Sequence, residues 1–186
     1  MDTDARILMD ELRLDHRNMA VVLNIMDELV EEMEAGKDPD LELLEEIMRY
    51  MTIYPDAVHH PKEDVMYEKL RVKRPDLAED LEHVPDDHRD IARLGSVLRS
   101  EVEAINAGAA VRRQKMIEDT AAYIIRLRTH MQWEEEDLFS RIDLMLDAEP
   151  YKVDLSSVEQ IKDPVFQLEV EAGFRRLLDS LAADSA

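Results

Sequence analysis

The chain has 186 residues, 45% of them hydrophobic and 36% charged, with 23 basic against 44 acidic side chains and a formal charge of −21. That length suits one domain with a real core, and the charge density leaves no room for a membrane span of about 20 apolar residues. A surface this acidic repels phosphate backbones and anionic lipid, so neither nucleic acid nor membrane is an expected partner. Cysteine is absent, which removes disulfides, thiolate metal sites, iron–sulfur ligation and cysteine nucleophiles together. Any metal must then bind through nitrogen and oxygen. Residues 1–6 lack the basic region and apolar run of a secretory signal, and the expected location is the cytoplasm.

With only four glycines and seven prolines, the composition favours helix, and the expected fold class is all-α. The first amphipathic segment covers about residues 4–35, with Leu8, Leu12, Met19, Leu23, Met26, Val30 and Met33 on one stripe and Gly36 as its stop. Asp38 and Pro39 then read as N-cap and first helical residue. The second segment carries Leu41, Leu44, Met48, Met51, Met66 and Leu70 and ends near Lys73-Arg74-Pro75. Pro55 and Pro61 inside it predict a kinked or broken helix. A short helical turn over residues 76–82 leads to the third segment, which Pro85 opens and which ends near Asn106-Ala107-Gly108. The fourth covers about residues 109–146 and is stopped by Pro150. Together they predict an up-down-up-down four-helix bundle over residues 1–147. Residues 148–186 read as an extension whose Pro164, Val165, Phe166, Leu168, Val170, Phe174, Leu177 and Leu181 predict one more amphipathic helix. That helix either caps the bundle or serves a dimer, so the chain is expected to be a monomer or a homodimer.

The six histidines are His16, His59, His60, His83, His88 and His130. A lone histidine on an apolar stripe is ordinarily a packed residue, but four of these sit on four different stripes. His16 continues Leu12 and Met19, His59 continues Met51 and Met66, His88 continues Val84 and Ile91, and His130 continues Leu127 and Leu138. Counting from the turns at about 1.5 Å per residue puts His16 and His59 each roughly 32 Å from the first turn, and the other turns give the same level for His88 and His130. Glu63 follows His59 by four residues and Glu134 follows His130 by four, one helical turn along the same faces. The pattern repeats within the chain, since Asp15-His16-Arg17 matches Asp87-His88-Arg89 at an offset of 72 and His59/Glu63 matches His130/Glu134 at 71. Four buried imidazoles and two buried carboxylates are costly unless something neutralises them, and two cations bridged by two glutamates would do so.

These residues resemble the hemerythrin-like, or HHE cation-binding, domain, whose pattern is His, His-x-x-x-Glu, His, His-x-x-x-Glu on four helices. The resemblance covers roughly residues 8–146 and is carried most specifically by His59-His60-Pro61-Lys62-Glu63-Asp64 and by His130-Met131-Gln132-Trp133-Glu134. It implies a non-haem diiron centre, oxo- or hydroxo-bridged, held by His16, His59, Glu63, His88, His130 and Glu134. By donor type alone, zinc and manganese stay open beside iron. The oxygen-carrying hemerythrins have a second histidine one turn beyond the third-helix ligand, where this chain has Ala92. Candidates to fill the gap are His60, Asp64, His83, Tyr54 and Tyr123. His60 and Asp64 lie about 100° off the ligand stripe and read as outer or surface residues. His83 reads as solvated in a turn. Tyr54 would face away on an ideal helix, but a bend at Pro55 can turn it inward, either as a phenolate ligand or as a packed tyrosine with a hydrogen-bonded hydroxyl. The acidic run after Glu134 reads as a solvated face.

No glutamate precedes any histidine by three residues, and no His-Glu-x-x-His is present, which disfavours ferritin-like diiron and zinc-protease chemistry. The leading expectation is a diiron oxidoreductase whose partner is a small oxidant, hydrogen peroxide, nitric oxide or oxygen, turned over in catalase or peroxidase fashion. The competing expectation is non-catalytic oxygen or iron binding, carriage or sensing, and Ala92 counts against carriage.

Overall fold

Helix α1 (Ala5–Glu34) starts where the Asp4 carboxylate accepts the Arg6 amide and stops where Gly36 takes φ +78°, a left-handed conformation suited to glycine. The computed structural model describes residues 2–159, 161–167 and 173–184. Helix α2 (Leu41–Tyr54) begins two residues later than the Asp38-Pro39 reading. Its cap is Asp40, whose side chain accepts the Leu43 amide at 2.9 Å. Pro55 does not break the chain of helical turns. It opens a wide π-helical turn, Pro55–His59, in which the His60 amide donates back to the Pro55 carbonyl, and helix α3 (His60–Lys73) follows without a gap.

After one 3₁₀ turn at Pro75–Leu77, shorter than the predicted helical turn, helix α4 (Val84–Asn106) carries Pro85 in its first turn. It ends ahead of Gly108, which has φ +95°. Helix α5 (Arg113–Trp133) starts four residues after the predicted Ala109. The Arg113 guanidinium at its first position binds the Lys37 carbonyl and the Asp38 carboxylate, fastening the α1–α2 turn to the start of α5. A second π-helical turn, Glu134–Leu138, joins α5 to α6 (Phe139–Ala148).

Helix α1 lies against α2 and α5, and α4 also lies against α2 and α5, closing a helical bundle; α3 and α6 pack on each other and on α1. The stripes read from the sequence form its interior, with Leu8, Leu12, Leu23, Met26, Leu44, Met48, Met66, Leu70 and Val102 fully buried. Each such leucine or methionine contributes roughly 1.5–3 kcal/mol relative to exposure. Among the described residues no helix is long and apolar enough to cross a membrane.

Two short strands depart from the purely helical expectation. β1 (Asp2–Asp4) pairs antiparallel with β2 (Lys152–Asp154), Thr3 opposite Val153, and ties the start of α1 to the chain beyond α6. Among the described residues the predicted final helix is α7 (Arg175–Asp184), which holds Leu177 and Leu181. Val165 and Phe166 lie in irregular chain before it, and Leu168 and Val170 fall outside the described residues. α7 packs against α2 and α1, and just before it Phe174 stacks under the Arg49 guanidinium at 4.2 Å.

Gly95 marks the closest approach of α4 to its neighbours. A Cβ there would stand 3.1 Å from Thr52 Cγ2 and 3.1 Å from Tyr123 Cε2. Gly95→Leu is expected to destabilise the fold by about 1–3 kcal/mol through overpacking, read from the midpoint of a denaturant titration. An unchanged midpoint would show slack between these helices.

Candidate metal centre

The six residues singled out by spacing come together in the bundle interior. His16 arrives from α1, His59 from the first π-helical turn, Glu63 from α3, His88 from α4, His130 from α5 and Glu134 from the second π-helical turn. All are buried, and both glutamates are wholly so. Glu63 Oε1 stands 3.1 Å from His59 Nε2 and 3.3 Å from His16 Nε2, while its Oε2 stands 3.5 Å from His88 Nε2. Glu134 mirrors this, with Oε1 at 3.1 Å from His130 Nε2 and 3.3 Å from His88 Nε2, and Oε2 at 3.5 Å from His16 Nε2.

Many of these approaches are not hydrogen bonds. Among the described residues His16 Nε2, both oxygens of Glu63, Oε2 of Glu134 and both ring nitrogens of His130 have no hydrogen-bond partner although they are buried. Leaving a buried polar atom unpaired costs on the order of 1–3 kcal/mol. The atoms aim at shared points between them, as donor atoms around a cation do. The groups His60, Glu63, His88, His130 and His16, His59, Glu63 each bring ligand atoms within 4.8 Å of one another. Nitrogen and carboxylate oxygen in this proportion suit a divalent transition metal.

The outer nitrogens are dressed with carboxylates. His16 Nδ1 lies 3.0 Å from Glu135, His59 Nδ1 3.2 Å from Asp15, His88 Nδ1 3.0 Å from Asp64, His60 Nδ1 3.5 Å from Asp56 and His130 Nδ1 3.8 Å from Asp87. The first three are hydrogen bonds of the kind that fixes the tautomer and ring orientation of a ligating histidine, and the last two are longer approaches. Asp15 and Glu135 went unnoticed in the sequence because they sit beside ligand positions, not on the inward stripe. The internal repeat would have found them, since Asp15 and Asp87 correspond at 72, and Asp64 and Glu135 at 71.

The protons of the metal-free cluster follow from the same contacts. Burial works against charge on His16, but Glu134, Glu135 and Glu63 outweigh it and push its pKa up to about 11. For His88, burial is likewise overcome by Asp64, Glu134 and Glu63, and the value rises to about 10. His59 is raised against burial by Glu63 and Asp15, whereas burial and the neighbouring His88 charge lower His60. Burial would raise both glutamates, and Glu134 would also raise Glu63, but the imidazoles hold both carboxyls below the usual carboxylate range.

His60 departs from the reading as an outer or surface residue. It is buried, and its ring stacks on that of His88 with centroids 4.5 Å apart. At about 100° per residue, Glu63 lies roughly 40° round the helix from His59 and roughly 60° from His60, so it points between them. Two adjacent histidines can thus flank one glutamate, a signal present in His59-His60-x-x-Glu63 and hidden when only one stripe is traced. Tyr54 does face inward, with its hydroxyl 3.3 Å from Asp15 Oδ1, and burial and Asp15 raise its pKa above the ordinary tyrosine value. Asp64 is an outer partner, His83 is exposed, and Tyr123 is buried against Gly95.

Comparison with known proteins agrees with this geometry. A family model, the hemerythrin HHE cation-binding domain, matches residues 8–153 and so takes in every residue of the cluster. No curated protein and no solved structure matches the chain. With that match spanning most of its length and a buried His/Glu cluster at its middle, the chain belongs to the hemerythrin HHE cation-binding family.

Proposed function

We propose that the helices run up-down-up-down around two iron ions held by His16, His59, Glu63, His88, His130 and Glu134, and that this centre turns over small oxidants in catalase or peroxidase fashion. The observation that supports two ions is the two-sided setting of the glutamates. One oxygen of Glu63 faces His16 and His59 while the other faces His88, and Glu134 divides its oxygens between His88 with His130 and His16. Iron, when bound, supplies the redox equivalents and the Lewis acidity for reaction with peroxide, nitric oxide or oxygen.

The chain's own groups do the rest. Asp15, Glu135 and Asp64 hold the imidazoles in orientation, and Tyr54 steadies Asp15 by donating to it. As an iron ligand Tyr54 would have to leave that carboxylate. Cavities of about 210 and 460 Å³ border the cluster at His88 and at His16, room for a small oxidant.

The test is to load the protein with iron, add hydrogen peroxide and follow oxygen release with an electrode. Sustained oxygen evolution is expected. Peroxide that persists, together with a reversible oxygenated spectrum after dithionite and air, would replace turnover by carriage.

His130→Ala and Glu134→Ala should each lower bound iron and melting temperature together, because each leaves buried partners uncompensated. Full iron occupancy in either variant would remove that residue from the ligand set.

Proton counting provides a further check. At pH 7 the raised His16 and His88 hold protons in the metal-free protein, so iron(II) must displace them and its apparent affinity should climb as pH rises from 7 toward 10. The stability these raised histidines give the metal-free fold is complete below about pH 6.5 and is lost as pH passes through about 10 to 11. Addition of iron(II) to weakly buffered protein should therefore acidify it; no acidification would contradict the assignment.

A further inference from the structure

The internal repeat makes the two halves of the centre directly comparable. His88, Arg89 and Ala92 of one half correspond to His16, Arg17 and Ala20 of the other, and Asp64 corresponds to Glu135. The first set borders the 210 Å³ cavity and the second the 460 Å³ cavity, so the two openings are equivalent places in the two halves. One break in the match removes a histidine. Where the first cavity has His60, the second has Met131, 71 residues on.

His60 is built like the other inward histidines. It is buried, its Nδ1 has a carboxylate of its own in Asp56 at 3.5 Å, and its ligand atom falls within the 4.8 Å group shared with Glu63, His88 and His130. Asp56 has no acidic equivalent in the other half, where Leu127 stands. The extra imidazole and its extra carboxylate therefore occur together, in one half only. An outer carboxylate, carbonyl or water is the usual partner that fixes the free nitrogen of a metal-bound imidazole.

We infer that His60 is a fifth imidazole ligand, which gives the ion beside His88 and His130 three histidines while the ion beside His16 and His59 has two. This rests on the two-ion reading above and assigns its asymmetry. Met131, at the position matching His60, offers only a thioether, a soft donor unsuited to a carboxylate-bridged iron. Ala92 stands one turn beyond His88 and lines the same cavity as His60, so an imidazole built there would enter the space from the α4 side.

The experiment titrates iron(II) alone, under nitrogen, into metal-free protein and counts bound ions after desalting. Wild type should hold two ions. His60→Met, which copies the other half, should keep one and bind the second at least tenfold more weakly. Adding Ala92→His to that variant should restore the second ion. Two ions bound by His60→Met with wild-type affinity would overturn the inference. Fewer than two in wild type would instead overturn the two-ion reading, and that result appears before any substitution is made. A measurement on unaltered protein guards against misfolding of the variants. The cobalt(II)-loaded wild type should show five hyperfine-shifted, solvent-exchangeable imidazole N–H resonances, and four would exclude His60.

Discussion

Two carboxylates that never meet water govern this molecule. Glu63 and Glu134 are fully buried, and an ionised carboxylate in such a place is tolerable only when positive charge and donors surround it. Buried histidines supply that surround: in the metal-free protein the acids raise His16, His59 and His88 against the effect of burial, and a bound cation would take over the task. The chain must therefore bring rings from α1, the first π-helical turn, α3, α4 and α5 to one level, and the apolar stripes above and below that level fix their register. Removing one ring leaves its neighbours with a charge they cannot share, so the polar layer acts as a unit and not as a sum of pairs.

Outside that layer lies a second set of acids, and its arrangement shows how the repeat operates. The aspartate preceding the ligand histidine of one helix serves a ring on the next hairpin strand of the bundle, as Asp15 does for His59 and Asp87, more distantly, for His130. The residue following each buried glutamate serves a ring of the opposite half, as Asp64 does for His88 and Glu135 for His16. Each half thus orients the other. Both halves also contain a π-helical turn beside the centre, but one ends on His59 and the other begins on Glu134, so the wide turns do not obey the repeat. Wide turns of this kind are frequent where a helix must redirect a functional side chain.

Most of the helical architecture and the level of the six inward residues were legible from periodicity and from counting along helix axes. The count works because α-helices rise by a constant amount and because the inward stripe is apolar except at the ligands. What escaped has physical reasons. His60 was hidden because a single stripe assigns one inward residue per turn, whereas a glutamate aimed between two neighbours admits both. Asp15 and Glu135 were hidden because an acid next to a ligand looks like a solvated face until the partner helix is in place. The late start of α5 depends on Arg113 binding the α1–α2 turn, and the β1–β2 ribbon depends on residues about 150 positions apart, neither of which local propensity reports.

The spread of the cluster along the chain bears on how the protein is made. His16 and Glu134 stand 118 residues apart, so no shorter nascent segment contains both halves of the centre. Until translation passes that point the early hairpin carries an unbalanced set of rings and one acid, with the apolar faces of α1 and α2 open to the ribosome surface. A cation that needs both halves can be held only once that whole segment has been made, and its binding then favours the folded bundle over its precursors.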